Sequence, residues 1–109
     1  DGDKEDIDDD DFVTLTSVHS AKGLEWNQVF VAGLEDNVFP HFRSKSKEAD
    51  LEEERRLFYV AMTRAAERLF LCYSAYKFEY GSQKPIKQNP SPFLDEIPHQ
   101  YKRVMIQKA

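Results

Sequence analysis

Thr16, His19, Lys22 and Glu25 place a hydroxyl, an imidazole, an amine and a carboxylate within ten residues, with Gly23 among them. Threonine and histidine side chains can hydrogen-bond a phosphate backbone, and a glutamate can accept from ribose hydroxyls. Gly23 lets the backbone turn tightly or approach a ligand. Plainer readings stand beside these: His19 as a satisfied structural histidine, and Lys22 with Glu25 as a surface pair. Arg64 stands apart from this group. On a predicted helix it falls seven residues after Leu57, on the same face as an apolar stripe, where a charged side chain needs a partner. One reading is a buried ion pair with a carboxylate from elsewhere. The other is a planar fork reaching from the helix end to a phosphate, to stabilise charge that develops in phosphoryl transfer. Spacing alone does not choose between them.

Other residues carry less. His41 and His99 have no partners at metal-ligand spacing, so no metal site is expected. Cys72 is the single cysteine and cannot form an internal disulfide; a small core residue in a reducing compartment is the simplest reading. The run from Glu52 to Arg56 reads as a solvated helix face with close-spaced ion pairs. Tyr73, Tyr76, Phe78 and Tyr80 could offer stacking surfaces, although core packing and strand-edge burial are the simpler expectation. No Gly-rich phosphate loop of the form G-x-x-x-x-G-K-[ST] occurs in these 109 residues.

The elements that must position these residues follow from the chain's texture. Phe12 to Val18 is rich in β-branched and aromatic residues and predicts a buried strand; Val29 to Ala32 predicts a second. Residues 20–25 between them suit a loop with one helical turn, at the end of a strand where open α/β sheets place ligands. The stretch after Gly33 through Lys47 reads as a long surface loop. Asp50-Leu51-Glu52-Glu53 forms a plausible capping box for a helix running to about Ala66, with Leu57, Val60, Ala61 and Ala65 at helical spacing. Arg68 to Ser74 then reads as a third strand, and the order strand, strand, helix, strand predicts an α/β sheet. Beyond Tyr76, Gly81 and four prolines leave room for one short helix near Pro92 to Ile97, with residues 99–109 a loose tail.

Composition allows one small domain with a modest core. The net charge of −5 is uneven, because eight of the twenty acids lie in residues 1–11. From Phe12 onward 12 acids face 14 bases, so the acidic total does not exclude a nucleic-acid partner. The slight positive balance and the lack of a basic stripe do weaken the idea of an independent DNA-binding protein. Residues 1–11 read as an acidic linker without structure. No apolar run is long enough for a bilayer, and the acidic start is unlike a signal peptide, so a cytoplasmic protein is expected.

The residues also carry a resemblance. VTLTSVHSAKGLEW, Val13 to Trp26, is similar to motif V of UvrD-like superfamily 1 DNA helicases, the UvrD/PcrA/Rep type, and EEERRLFYVAMTRA, Glu52 to Ala65, is similar to their motif VI. VFPHFRS, Val38 to Ser44, resembles the connecting loop, and SPFLDEIP, Ser91 to Pro98, resembles the end of the second motor domain. The four matches stand in family order and span residues 12–98. Trp26 replaces the usual Phe, and Pro92 stands where Arg is common.

This resemblance implies a partial RecA-like (P-loop NTPase-type) parallel sheet with flanking helices, the C-terminal half of motor domain 2A, entered by residues 1–11 as a linker returning from an inserted domain. It implies an ATP-dependent 3′–5′ DNA helicase or translocase. Arg64 would be the motif VI arginine finger on the γ-phosphate. Glu25 would lie near the nucleotide ribose, with Gly23 shaping the loop. Thr16 and His19, with Lys22 beside them, would face single-stranded DNA. ATP and Mg2+ would serve the intact protein, with neither bound by this chain alone. The first motor domain of the same polypeptide would be a partner, as would repair or replication proteins. Lacking the remaining motifs, the chain alone is expected to be inactive. Two other parents fit the same motifs: a helicase-nuclease subunit, and an interaction module that kept the motor fold.

Overall fold

The computed structural model describes residues 12–106; the acidic linker expected at 1–11 lies outside them, as do the last three residues. Two strands, β1 (Trp26–Val31) and β2 (Ala65–Leu71), pair in parallel, with Gln28 opposite Arg68, Phe30 opposite Phe70 and Val31 opposite Leu71. Parallel neighbours need a long crossover. Here it is a short 3-10 helix (Phe42–Ser46) followed by α1 (Glu48–Met62). The expected α/β character with a parallel pair is therefore present.

Helix α1 starts two residues before the expected capping box. Lys47 is the N-cap and contributes no side-chain bond, while Glu48 and Asp50 fall in the first turn, where carboxylates suit the positive end of the helix dipole. Its inner face carries Leu51, Phe58, Ala61 and Met62. The helix closes at Met62 rather than near Ala66, with Thr63 as C-cap. Arg64 consequently lies beyond the helix, in the turn into β2. That early stop lets the third strand begin at Ala65 instead of Arg68, because the Trp26 N–H bonds the Arg64 carbonyl at 2.9 Å and opens the ladder there.

The core is an aromatic cluster. Phe58 and Phe93 stack with centroids 5.6 Å apart, and Phe39 meets Phe93 edge-on at 5.4 Å. Leu34 completes the buried set, with Val31, Leu51, Met62, Leu71, Leu94 and Ile97 packed around it. Leu34, Phe39 and Pro40 come from the segment expected to be a surface loop, and Leu34 and Pro40 are fully buried. The segment has no period, yet its apolar residues fill the space above the helix. It is held by Ser91, whose N–H bonds the Leu34 carbonyl at 2.7 Å and whose hydroxyl caps α2 (Pro92–Asp95) by accepting from the Phe93 N–H. This short helix, with proline in its first turn, stands where the sequence predicts it.

Arg55 ties α1 to the residue that ends α2. Its guanidinium donates from Nε and Nη2 to both oxygens of Glu96 at 2.9–3.1 Å, bonds Glu52, and lies over the Phe93 ring. Glu96, and then Glu52, hold it well above the usual arginine range. What reads in sequence as a purely local ion-pair run thus includes a long-range fork.

Two expectations are corrected here. Residues 12–18 form no strand: none of the backbone–backbone hydrogen bonds among the described residues involves 12–16, and Val13 and Leu15 are 86% and 92% exposed. β-propensity describes a side chain suited to a pleated surface, and without a neighbouring ladder it makes no strand. The second concerns the aromatics after β2. A small antiparallel hairpin, β3 (Tyr76–Lys77) with β4 (Ile86–Lys87), leaves Tyr73, Tyr76, Phe78 and Tyr80 exposed instead of packed into a core. Residues 102–106 follow a 3-10 turn (His99–Tyr101) without a regular element. No helix among the described residues is long and apolar enough to cross a membrane.

Candidate phosphate-facing arginine and its loop

The chain from Ser17 to Leu24 winds through turns anchored by Ala21, the one buried residue of the loop. The Ala21 N–H bonds the carbonyls of Ser17 and Val18 at 3.0 and 3.2 Å, and the Leu24 N–H returns to the Ala21 carbonyl at 3.0 Å. Ser17 and Ser20 brace the first turn through their hydroxyls. Gly23 has φ +82°, a left-handed conformation that side chains other than glycine adopt at a cost, so the loop leaves toward β1 at this point. The expected loop is present, as hydrogen-bonded turns over residues 18–23 without a helix.

Arg64 reaches this loop. Its Nη1 donates to the Leu24 carbonyl at 3.0 Å, its Nε to the Val60 carbonyl at 3.2 Å and its Nη2 to the Thr63 hydroxyl at 3.2 Å. No carboxylate pairs with it among the described residues, so of the two sequence readings the ion pair finds no partner here. The guanidinium instead sits at the negative end of α1, on a carbonyl the helix leaves without an intrahelical donor. Among the described residues three of its five N–H bonds find an acceptor.

Arg64 and Thr16 line a cleft of about 630 Å³ together with Ala21, Trp26, Val29 and Ala61. Its walls are mainly apolar, and Arg64 is the charged group in them. His19, Lys22 and Glu25 are exposed and do not line it. Gly23 and Glu25 flank Leu24, whose carbonyl Arg64 holds. The structure therefore joins Arg64 to the backbone of Leu24 and puts Thr16 in the lining of the same cleft as Arg64, while the side chains of His19, Lys22 and Glu25 are exposed and lie off it.

Sequence reasoning missed Thr63 and the two carbonyls that fix the guanidinium. A threonine closing a helix is a readable signal, because its hydroxyl can return to an orphan carbonyl. Backbone oxygens from Leu24 and Val60 leave no such signal.

The model of the UvrD-like helicase C-terminal domain matches residues 1–76, which include the whole loop and Arg64. The ATP-dependent DNA helicase Rep of Buchnera aphidicola subsp. Baizongia pistaciae is 44% identical over 88 residues, covering 81% of this chain and 13% of its own. The ATP-dependent DNA helicase PcrA of Staphylococcus aureus MRSA252 is 44% identical over 98 residues, covering 88% and 13%. That of Bacillus subtilis 168 is 48% identical over 89 residues, covering 81% and 12%. The chain thus spans about an eighth of the length of these curated relatives. With the loop and helix in contact, and with relatives this similar along four-fifths of it or more, the chain belongs to the UvrD-like helicase C-terminal domain family.

Proposed function

We propose that this chain supplies the phosphate-sensing arginine and the strand-facing loop of an ATP-dependent DNA helicase translocating 3′ to 5′, with residues 12–98 the C-terminal part of its RecA-like second motor domain, 1–11 the linker entering it and 99–109 its tail. The observation that carries the reading is the bond from Arg64 to the Leu24 carbonyl, which joins the residue facing ATP to the loop facing DNA.

Arg64 contacts the γ-phosphate of ATP bound against the first motor domain, and stabilises the charge that spreads over the phosphoryl oxygens as the bond to the leaving group lengthens. Its N–H bonds that find no acceptor among the described residues, and its place on an open cleft, support this reading. Glu25 accepts from the ribose hydroxyls, and Gly23 gives the loop the turn that sets Glu25 beside the nucleotide. Thr16, His19 and Lys22 hold the phosphate backbone of single-stranded DNA. Tyr80 lies fully exposed beyond β3, next to Gly81, and offers a face on which a base can stack. In the intact motor Mg2+ would supply charge neutralisation at the phosphates; no group of three or more acidic, histidine or cysteine side chains that could hold a metal occurs among the described residues. The protein acts in the cytoplasm, and the chain alone does not hydrolyse ATP.

The resemblance to Rep and PcrA supports a helicase over a stand-alone interaction module. The test is single-stranded DNA binding by the full-length protein alongside ATP turnover, for wild type, His19→Ala and Arg64→Ala. The histidine variant should weaken DNA binding, and the arginine variant should lose turnover while keeping its DNA affinity. The opposite pattern would contradict the division of roles.

A further inference from the structure

Thr63 is not among the groups expected to touch ATP or DNA, yet it stands between α1 and the guanidinium. Its hydroxyl donates to the Val60 carbonyl at 2.9 Å and accepts from Arg64 Nη2 at 3.2 Å. The same Val60 carbonyl accepts from Arg64 Nε at 3.2 Å. The three groups close a ring: carbonyl, hydroxyl and guanidinium each contact the other two. An arginine beyond a helix end has four rotatable side-chain bonds, and a ligand that must find it in one orientation loses affinity or rate to that freedom. Val60 alone would fix Nε but leave the fork to swing about that bond. Leu24 fixes Nη1, but it belongs to a loop that turns at a glycine. Thr63 is the C-cap of α1 itself, so its bond to Nη2 refers the fork to the rigid helix and not to the loop.

We propose that Thr63 is a positioning residue for Arg64: its hydroxyl orients the guanidinium fork toward the phosphate without touching substrate. This rests on Arg64 being the phosphate-facing group. A hydroxyl suits the task because it donates to one partner while accepting from the other, which neither an alanine nor a valine at this position can do. Thr63 is exposed, so its replacement does not open a hole in the core.

The test is a double-mutant cycle on DNA-stimulated ATP turnover by the full-length protein, with Thr63→Val, Thr63→Ser, Arg64→Ala and the Thr63→Val/Arg64→Ala pair, and with melting temperature measured for each. Thr63→Val should lower kcat about ten- to a hundredfold, the scale of a small misplacement of a catalytic group, with little change in the KM for ATP or in melting temperature. Thr63→Ser should restore most of that loss. The pair should be no slower than Arg64→Ala alone, because a positioning group has nothing left to position. Thr63→Ala repeats the measurement should valine disturb the turn. Near-normal turnover in Thr63→Val and Thr63→Ala beside a collapse in Arg64→Ala would overturn this inference alone, as would losses that simply multiply in the pair. Normal turnover in Arg64→Ala would overturn the reading of the site and this inference with it.

Discussion

Arg64 Nη1 and the Leu24 carbonyl lie 3.0 Å apart, although forty positions separate the two residues in sequence. The contact fastens the end of α1 to the loop between Gly23 and Glu25, and the Trp26 N–H bonded to the Arg64 carbonyl fastens the same two segments a second time. The end of α1 and this loop are therefore joined at two points. In the proposed helicase this is the physical link by which the state of the nucleotide reaches the DNA.

The aromatic core should dominate stability. Phe58 is buried to 1% between Phe39 and Phe93, so Phe58→Ala removes a ring from the centre of a cluster of three. The expected cost is about 3–5 kcal/mol, measured as a shift in the denaturant midpoint of the full-length protein or of this domain. A loss below about 1 kcal/mol would mean that the cluster repacks freely.

The Arg55–Glu96 fork should matter less and should respond to salt. Both side chains are partly exposed, so water screens much of their attraction. Glu96→Gln should lower the melting temperature by less than Phe58→Ala does, and the difference from wild type should shrink as salt is raised. A salt-independent loss would instead assign the effect to the packing of Arg55 on the Phe93 ring.

Much of this was legible in the sequence, for physical reasons. The two strands and the long helix between them follow from apolar patterning, the short helix near Pro92 from the spacing of the prolines, and the parallel pairing from the family resemblance. The motif loop and Arg64 were both singled out by residue type. Three things were not legible. Phe12 to Val18 has every local property of a strand, but a ladder needs a neighbour, and propensity carries no information about neighbours. Leu34, Phe39 and Pro40 are core residues without a period, so pattern alone assigned them to the surface. Ala65 and Ala66 are compatible with a helix, so pattern extends the helix too far; the stop is set by Thr63 and by the bond to Arg64 from Trp26 in the neighbouring strand.

Tyr80 should contribute to strand binding. Its ring is fully exposed beside Gly81, with Phe78 nearby and also exposed, and an aromatic side chain left in water in this way has no packing role to lose. Tyr80→Ala should weaken single-stranded DNA binding about 5- to 100-fold, the range of one stacked base, while Tyr80→Phe keeps it. Titration of a labelled oligonucleotide against both variants checks this, and equal affinity in Tyr80→Ala would remove the residue from the DNA surface.

In the proposed helicase Arg64 acts on ATP while tied to the loop that holds DNA. The most direct measurement is ATP turnover by the full-length protein, wild type and Arg64→Ala, with and without single-stranded DNA. The account predicts strong stimulation by DNA in the wild type and a fall of about a thousandfold or more in the variant, at little cost in DNA affinity. Turnover in Arg64→Ala close to that of the wild type would contradict it.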